Sequence, residues 1–373
     1  MSEAVRYHLG GFPPGQIDWA RLVPLIGDAR AALARYDGLL AAIPDPAVLL
    51  APLTTQEAVL SSRIEGTTVT MGEVLQIEAG DGAGLSQPKR DEAEEIRNYR
   101  AALVFATKSL ADRPLSPHLL REAHALLLDG VRGRDKSPGA FRTEQNWIGP
   151  KGCRIEEASF VTAPQEHLLA GLDAWTRYLQ GREERDPLVQ LAVLHVEFEA
   201  LHPFKDGNGR LGRMLIPLFL FERGILRGPD FYMSGYLDAR REQYVEAMRA
   251  VSRDGAWTPW CAFFLEGLIA QASDNQSRAQ AILDLHKRML REITDLTHSQ
   301  HANRAVNFLF ERPIFASSHF INGSSIPKPT AHRFLGLLRE AGILTTILES
   351  SGRRSAIFAF PSLLNIAEGR IVF

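Results

Sequence analysis

Apolar residues recur at three- and four-residue steps along most of this chain, which predicts a protein built mainly of α-helices. Glycines and Pro88 predict a loop over 79–91, and helical spacing returns over 92–128, where Pro114–Pro117 separates two helices. Within 17–76 one helical face is apolar, with Leu22, Leu25, Ile26, Ala29, Ala32 and Leu33. The strands predicted before residue 300 form a single hairpin.

A second pattern marks a turn between two helices near residue 202. The run 188–201 carries apolar residues on one helical face, and Pro203 disfavours helical backbone at His202. A new helix is predicted to begin near Asn208 or Gly209, because an apolar stripe follows with Leu211, Met214, Leu215 and Leu218. The segment between the two helices is therefore predicted to form a turn.

The residues of this turn are suited to chemistry on a phosphate group. Gly207 and Gly209 permit positive φ and leave the backbone unshielded, so N–H groups at the start of the next helix can bind an anion. Asp206 beside that anion predicts Mg²⁺ between the two negative charges. His202 has an ordinary pKa near neutrality and is the candidate general base. A base, a metal ligand, an anion site and two arginines are typical of phosphoryl-type transfer.

Two alternatives remain open from the residues themselves. In one, the turn is an ordinary capped loop: Asp206 binds backbone amides, Asn208 adopts left-handed backbone and the arginines face water. In the other, His195, Glu199 and His202 bind a metal, since their i, i+4, i+7 spacing places them on one helical face. This second set lacks the His-Glu-x-x-His order of zinc peptidases.

The run from His202 to Arg213 resembles the signature of the Fic-domain family of protein adenylyltransferases, His-Pro-Phe-x-Asp/Glu-Gly-Asn-Gly-Arg-x-x-Arg. The resemblance implies transfer of AMP from ATP to a Ser, Thr or Tyr hydroxyl of a target protein, with release of pyrophosphate. It implies that His202 is the base and that Asp206 holds Mg²⁺. The implied nucleotide-binding residues are Phe204, Lys205, Gly207, Asn208, Gly209, Arg210 and Arg213, of which Arg213 would reach the γ-phosphate.

A second segment, Ser61–Gly66, resembles the inhibitory pattern of the same family, Ser/Thr-x-x-x-Glu-Gly/Asn. A capping box of Thr54 and Glu57 predicts a helix over 55–65, and Gly66 predicts its end. The resemblance implies that Glu65 pairs with Arg213 in place of the γ-phosphate and that Ser61 braces Glu65. The alternative is a capping box between Ser62 and Glu65, with Glu65 in water.

Two further segments resemble parts of the family's substrate site. The runs 141–149 and 158–161 predict a hairpin with a turn at Gly149–Gly152 or slightly later, which resembles the flap that pins a target by strand addition. Its implied target-docking residues are Gln145, Asn146, Trp147 and Ile148, with Asn146 departing from the usual aliphatic residue. Tyr236, followed by Arg241 and Tyr244, resembles the region that closes over the adenine base.

The last 71 residues resemble a winged-helix module, because a helix over 327–341 is followed by two predicted strands around a turn at 351–354. This part has eight Lys and Arg against four Asp and Glu. The arginines that can meet a DNA backbone are Arg333, Arg339, Arg353 and Arg354. A module that binds protein or supports a homodimer is the alternative.

Composition sets the remaining expectations. The 42 basic and 44 acidic residues give a net charge of −2, which excludes a global basic excess for nucleic acid or membrane binding. Two cysteines, Cys153 and Cys261, and the lack of an apolar leader or membrane span favour a cytoplasmic protein.

The predicted fold class is mainly α: a Fic-type helical bundle with a β-hairpin flap, followed by a small α+β winged-helix domain. Its predicted parts are 1–110 with the inhibitory helix, 111–268 as catalytic core, 269–302 as helical linker and 303–373 as winged helix. The leading hypothesis is an adenylyltransferase, including auto-modification, held inactive by Glu65. The alternatives are a DNA-binding regulator with the Fic core as nucleotide sensor, and removal of AMP or another phosphoryl-type transfer.

Overall fold

The computed structural model describes residues 4–43, 45–82, 84–130, 134–150, 152–182, 184–352 and 354–373, and the fold is mostly helical, as predicted. The helices are α1 (Trp19–Leu40), α2 (Pro46–Leu49), α3 (Ala51–Ile64), α4 (Met71–Glu78), α5 (Gln87–Ser109), α6 (Pro117–Leu127), α7 (Leu168–Gln180), α8 (Pro187–Leu201), α9 (Asn208–Glu222), α10 (Ser234–Ala239), α11 (Arg241–Asp254), α12 (Trp257–Thr297), α13 (Ala302–Glu311), α14 (Ser317–Gly323), α15 (Lys328–Glu340) and α16 (Pro361–Glu368). The strands are β1 (Val5–Arg6), β2 (Trp147–Ile148), β3 (Phe160–Val161), β4 (Ile314–Ala316), β5 (Thr345–Leu348) and β6 (Ile357–Ala359).

The chain forms two compact units, each made of separate stretches of sequence. The first contains the residues up to Asp37, Leu60–Glu65 and Arg97–Ser273. The second contains Gly38–Val59, Gly66–Ile96 and Asp274–Phe373. The domain boundaries predicted after 110, 268 and 302 stay predictions.

Helix α8 is the centre of the first unit. Thirteen of its 15 residues are buried, and a helix that is apolar all round belongs in a core. The indole N–H groups of Trp175 and Trp260 donate to the backbone carbonyls of Leu194 and Ala192, at 2.9 and 2.7 Å. The single apolar face predicted for this run was therefore too narrow.

The predicted flap hairpin is confirmed, but it belongs to a larger sheet. Strands β2 and β3 pair antiparallel, with Trp147 opposite Val161, and β1 pairs parallel with the other edge of β3. The sheet order is thus β1-β3-β2, and β1 was not predicted. The connection after β2 is longer than the predicted turn and includes a 3-10 helix at Ile155–Glu157; Lys151 lies outside the described residues.

The N-terminal strand is followed by a buried polar cluster. Tyr7 Oη donates to Glu197 Oε1 at 2.8 Å, and the Nε2 atom of His8 lies 2.8 Å from Glu197 Oε2. The Nδ1 atom of His8 lies 2.7 Å from Ser252 Oγ. Glu197 is on α8 and fully buried, so these contacts hold a carboxylate that water does not reach.

The second unit contains a three-stranded antiparallel sheet in the order β4-β6-β5. Helices α13 to α16 belong to the same unit, and α2 and α4 contact α13 and β4. The predicted helix over 327–341 and the two strands after it are present, whereas β4 and α16 were not predicted. The identity of this region as a winged helix stays a prediction.

The arginines predicted to meet DNA differ in their surroundings. Arg333 Nη2 donates to the carbonyl of Thr297 at 2.9 Å and serves the end of α12. Arg339 and Arg354 are exposed, and Arg353 lies outside the described residues. DNA binding therefore stays a prediction.

Several predicted helix limits were wrong. Helix α3 begins at Ala51, four residues before the predicted start, and Thr54 Oγ1 donates back to the Leu50 carbonyl at 3.4 Å, so Thr54 is not a cap. Helix α5 begins at Gln87, inside the predicted loop. In the described part of the chain no helix is long and apolar enough to cross a membrane.

We expect Tyr7→Phe to lower the free energy of unfolding by about 1.5–3 kcal/mol, because it removes a hydrogen bond to a buried carboxylate. Denaturant unfolding measures the change. Tyr178→Phe is the matched control, since Tyr178 also donates to a glutamate, Glu184, which is only half-buried. An equal loss in the two variants would mean that burial of Glu197 adds nothing.

Candidate active site

The turn between α8 and α9 has the backbone that the sequence predicts. Helix α8 ends at Leu201, and His202 adopts left-handed backbone with φ 51° and ψ 60°. Pro203 follows, and Gly207, with φ 76°, caps the start of α9. The predicted start of α9 near Asn208 is confirmed. Gly207 rather than Asn208 carries the left-handed backbone, so that part of the capped-loop alternative is wrong.

Asn208 stabilises the turn from inside. Its Oδ1 accepts from the Phe204 N–H at 2.9 Å, and its Nδ2 donates to the Phe204 carbonyl at 2.8 Å. Phe204 is fully buried, and its ring stacks on His124 at 3.8 Å between centroids. These two signature residues therefore shape the turn, and their part in nucleotide binding stays a prediction.

A cavity of about 350 Å³ opens over this turn, within the usual size of small-molecule sites. Its walls come from the turn itself, the end of α3, the flap and one face of α11. Among the predicted residues, those that line it are Glu65, Asn146, Trp147, Ile148, His202, Lys205, Asp206, Gly207, Asn208, Gly209 and Arg213. The other predicted residues, Ser61, Gly66, Gln145, Phe204, Arg210 and Tyr236, are not in this lining.

His202 lines the cavity as a neutral imidazole. Its Nδ1 lies 3.3 Å from the Glu199 carbonyl, which only accepts, so we assign the proton to Nδ1. The Nε2 atom is then the proton acceptor of the ring. Burial lowers the pKa of His202 to about 4, with smaller opposing effects from that hydrogen bond and from Glu65.

Arg213 and the end of α3 form the most buried charged contact of the cavity. Arg213 is 2 % exposed, and its Nη2 donates to Glu65 Oε1 at 2.7 Å and to the Ser61 carbonyl at 2.8 Å. Its Nε donates to Ser61 Oγ at 2.9 Å. Ser61 was expected to contact Glu65, but its hydrogen bonds are with Arg213. The same geometry is incompatible with a Ser62–Glu65 capping box.

The Glu65 carboxylate also lies against the start of α9. A Cβ built on Gly209 would overlap Glu65 Oε1 and stand 3.0 Å from Arg213 Nη1. Only glycine fits here while Glu65 is in place, because any larger residue would occupy the carboxylate's position. Arg241 Nε donates to the Ile64 carbonyl at 3.0 Å and satisfies the end of α3.

Asp206 and Lys205 lie at the other side of the cavity. The Asp206 carboxylate is half-exposed, and its Oδ1 accepts from the Gly207 N–H at 2.5 Å and from Arg210 Nη2 at 3.4 Å. Lys205 Nζ pairs with Glu144 at 3.0 Å. Asp206 thus presents a carboxylate beside the anion site, which is the arrangement that a magnesium ion bound to phosphate requires.

The alternative metal site on α8 is wrong. His195 is fully buried, with Nδ1 3.0 Å from the Gly212 carbonyl and Nε2 2.8 Å from Tyr244 Oη, so both ring nitrogens are used. Among the described residues, no three His, Cys, Asp or Glu side chains are grouped to hold a metal. His195 supports α9 and α11 instead.

The flap presents an edge strand beside the cavity. Trp147 and Ile148 of β2 are 37 % and 40 % exposed. Gln145 Nε2 donates to the Thr162 carbonyl at 3.1 Å, and Asn146 Nδ2 donates to the Phe204 carbonyl at 3.3 Å. Asn146 therefore ties the flap to the turn.

Comparison with known protein families gives two matches. The model of the Fic/DOC family N-terminal region matches residues 23–108, and the model of the Fic/DOC family matches residues 114–220. Together they cover just over half of the chain. The chain belongs to the Fic/DOC family.

Curated relatives match part of this Fic chain. Protein adenylyltransferase fic-1 of Caenorhabditis briggsae is 26% identical over 172 residues, which are 43% of this chain and 30% of that protein. Probable protein adenylyltransferase aq_aa38 of Aquifex aeolicus (strain VF5) is 31% identical over 118 residues, 30% of this chain and 37% of that protein. The chain spans about a third of the length of these two relatives.

Solved structures show the same fold. A Fic family protein from Desulfovibrio desulfuricans G20 has a TM-score of 0.60, with 21% identity, over 93% of this chain and 98% of that one. Fic-1 from C. elegans has a TM-score of 0.52, with 21% identity, over 74% of this chain and 80% of that one. At this identity the likeness shows the fold alone.

Sequence reasoning missed several residues of the Fic site. Glu199 lines the cavity; burial raises its pKa to about 7 against the opposing charge of Arg213, and the described residues supply no hydrogen-bond partner to its Oε1. His124, on α6, has Nε2 2.9 Å from the Asp206 carbonyl. Arg142 donates to the carbonyl of His202. The sequence named Glu199 only as a ligand of the alternative metal site on α8, so its place in this cavity was not predicted.

Of the two tyrosines in the region predicted to close over the adenine, Tyr244 lines the cavity and Tyr236 does not. The Tyr236 ring lies under Arg240 at 4.3 Å, and its backbone N–H donates to Gln271 Oε1 at 2.8 Å, so Tyr236 packs away from the cavity. Tyr244, on α11, lines the cavity together with Val245 and Met248. The aromatic and apolar wall therefore comes from α11.

We expect the Glu65–Arg213 pair to stabilise the fold only while Glu65 is ionised. Burial opposes ionisation, but Arg213 outweighs it and the pKa of Glu65 lies below its ordinary value of 4.5. A lowered pKa contributes stability above the unfolded-state pKa, and that contribution is lost as pH falls through the folded-state pKa. The effect is about 1 kcal/mol, since the carboxylate is 45 % exposed.

The measurement is the free energy of unfolding of wild type and Glu65→Gln between pH 7 and pH 3. The difference should be greatest at neutral pH and shrink in acid. A double-mutant cycle with Arg213→Met assigns it to the pair. A difference independent of pH would show that the charge of Glu65 contributes nothing.

Proposed function

We propose that this chain transfers AMP from ATP to a Ser, Thr or Tyr hydroxyl of a protein, itself included, and that Glu65 holds it inactive. The names of the two adenylyltransferase relatives support the reaction, and the turn from His202 to Arg213 supplies the groups that it needs. The signature is complete in this chain, with no fixed position replaced.

One observation carries the proposal. The Glu65 carboxylate lies against Gly209 and accepts from Arg213, at the start of α9. An anion of the chain itself thus occupies the place where backbone N–H groups, a helix N-terminus and a buried guanidinium converge. The same place suits a phosphate group, which carries more charge and more acceptor oxygens than a carboxylate.

The transfer step follows from the position of His202. Its unprotonated Nε2 takes the proton of the target hydroxyl, and the hydroxyl oxygen attacks the α-phosphorus of ATP. The bond from that phosphorus to the bridging oxygen breaks, and pyrophosphate leaves. Because the pKa of His202 lies near 4 in the resting site, the ring is neutral at pH 7 and its Nε2 is unprotonated.

The residues of the turn fit a magnesium ion that arrives with the nucleotide. Asp206 is the half-exposed carboxylate that would hold it, and His124 fixes the Asp206 backbone from behind. When bound, Mg²⁺ neutralises phosphate charge. Lys205 at the rim, paired with Glu144, adds a cation, and Tyr244, Val245 and Met248 offer an apolar wall to the base.

Inhibition follows from competition for Arg213. While Glu65 accepts from its guanidinium, a γ-phosphate entering the same place meets a carboxylate and no free donor, so ATP is held in an unproductive position. Glu65 is half-exposed and can turn toward water, whereas Arg213 is enclosed. Release therefore requires that the Glu65 side chain, rather than Arg213, leave the contact.

The protein target would add a strand to the free edge of β2, beside Trp147 and Ile148, which brings its hydroxyl over His202. The residues of the turn equally permit removal of AMP or transfer of another phosphoryl-type group, with Glu65 or Glu199 as carboxylates in the cavity. A homodimer and DNA binding by the second unit stay predictions.

We expect Glu65→Gly to acquire the mass of one AMP when incubated with Mg²⁺ and ATP, while wild type gains little. His202→Ala in the same background should lose the adduct, because proton abstraction contributes about 10²–10⁴-fold. Intact-mass spectrometry gives the readout. Glu78→Gly is the matched control, since Glu78 ends α4 as a helix-terminal glutamate outside the cavity.

Equal adducts on wild type and Glu65→Gly would remove Glu65 from inhibition. Adducts that still form on the His202→Ala variant would show that His202 is not the general base. An adduct with a mass other than that of AMP would show that the same site transfers a different group.

A further inference from the structure

One arginine outside the signature donates hydrogen bonds both to the base of the flap and to the C-terminal end of α8. Arg142 is 3 % exposed. Its Nε donates to the His202 carbonyl at 2.9 Å, and one Nη2 donates to the carbonyls of Leu201 at 3.1 Å and Ala163 at 2.5 Å. Its Nη1 donates to the Glu144 carbonyl at 2.7 Å.

The backbone of the same residue adds a further bond. The Arg142 N–H donates to the Pro203 carbonyl at 2.9 Å, so the carbonyls of three successive residues, Leu201 to Pro203, each accept from Arg142. These include the last carbonyls of α8, which have no partner within the helix and carry the negative end of its dipole. The helix dipole favours a cation at this place, whereas burial opposes the charge and lowers the pKa of Arg142 to about 10.

The remaining two acceptors belong to the flap. Glu144 directly precedes the segment that leads into β2, and Ala163 follows β3, so the two carbonyls lie at the two ends of the hairpin. The Ala163 N–H in turn donates to the Ala200 carbonyl of α8 at 3.1 Å. Within the described residues no carboxylate pairs with Arg142, and its hydrogen bonds all go to backbone carbonyls.

We propose that Arg142 is a positioning residue that makes the flap and His202 one rigid assembly, so that a target held on β2 is placed relative to the base. The kinetic consequence of this proposal rests on the proposed transfer reaction. Its structural consequence rests on the hydrogen bonds alone. A planar guanidinium is needed, because an ammonium cannot serve four carbonyls in these directions.

Two substitutions separate geometry from charge. Arg142→Met removes the N–H donors and the charge, whereas Arg142→Lys keeps the charge and loses the planar set of guanidinium donors. Arg223→Met is the matched control: Arg223 also donates through Nη2 to backbone carbonyls at a helix end, but these are the carbonyls of Leu179 and Gly181, outside the flap and the turn after α8.

The first readout is amide hydrogen exchange, which needs no activity. In Arg142→Met, exchange should rise together at 144–148, 160–163 and 201–204, by about tenfold or more, and stay unchanged around the Ser61–Arg213 contact. If Arg142→Met does not fold, Arg142→Lys provides the same test with a smaller rise. A rise confined to the flap, or to 201–204, would overturn the proposal, as would an equal rise in Arg223→Met.

The second readout is the rate of auto-modification at saturating ATP and Mg²⁺, with Glu65→Gly as parent. Arg142→Met and Arg142→Lys should each slow this rate about 100-fold, since small misplacement of a reacting group has that cost. The ATP dissociation constant should change less than about twofold, because the nucleotide contacts are elsewhere. Full activity of Arg142→Lys would show that charge alone is required and overturn the positioning role.

The two readouts test the transfer reaction and the positioning role of Arg142 separately. A parent that shows no transfer at all contradicts the proposed function, and the exchange pattern still decides whether Arg142 couples the flap to His202.

Discussion

The C-terminal end of α8 is buried, and the last carbonyls of a buried helix need donors from elsewhere in the chain. Arg142 supplies them, which fixes where α8 stops and how His202 leaves it in left-handed backbone. Pro203 prevents continuation, and Asn208 closes the turn onto Phe204. The position of the imidazole and the first N–H groups of α9 both follow from this one helix end.

Charge balance around Arg213 governs the other side of the cavity. A guanidinium enclosed by protein needs acceptors on its donors, and Ser61 and Glu65 provide them in the resting state. The pair is unequal: Arg213 cannot leave, while Glu65 borders water. Under the proposed function, a ligand phosphate and the Glu65 carboxylate would compete for this one enclosed cation, and the end of α3 would decide the state of the site.

The local pattern was sufficient to predict the helices, the flap and the turn, because periodicity, Pro203 and the glycines act over a few residues. The limits of α3 and α5 were wrong, since Thr54 lies inside α3 and bonds back to the Leu50 carbonyl, and α5 begins at Gln87, directly before a proline that suits the first turn of a helix. Strand β1 and the roles of Arg142, His124 and Tyr244 depend on residues distant in the chain. Nothing in the spacing of the sequence brings such residues together.

The pairing of β1 with β3 has a consequence for how the chain can be shortened. With β1 in place, β3 is a central strand, and β2 offers the open edge beside the cavity. A version of the chain that began after Arg6 would bare the opposite edge of β3, a short apolar strand. Only two residues pair there, so the bared edge would be short, and the flap would lose its pairing with β1. Strand β1 thus keeps that edge of β3 paired, while β2 keeps its open edge beside the cavity.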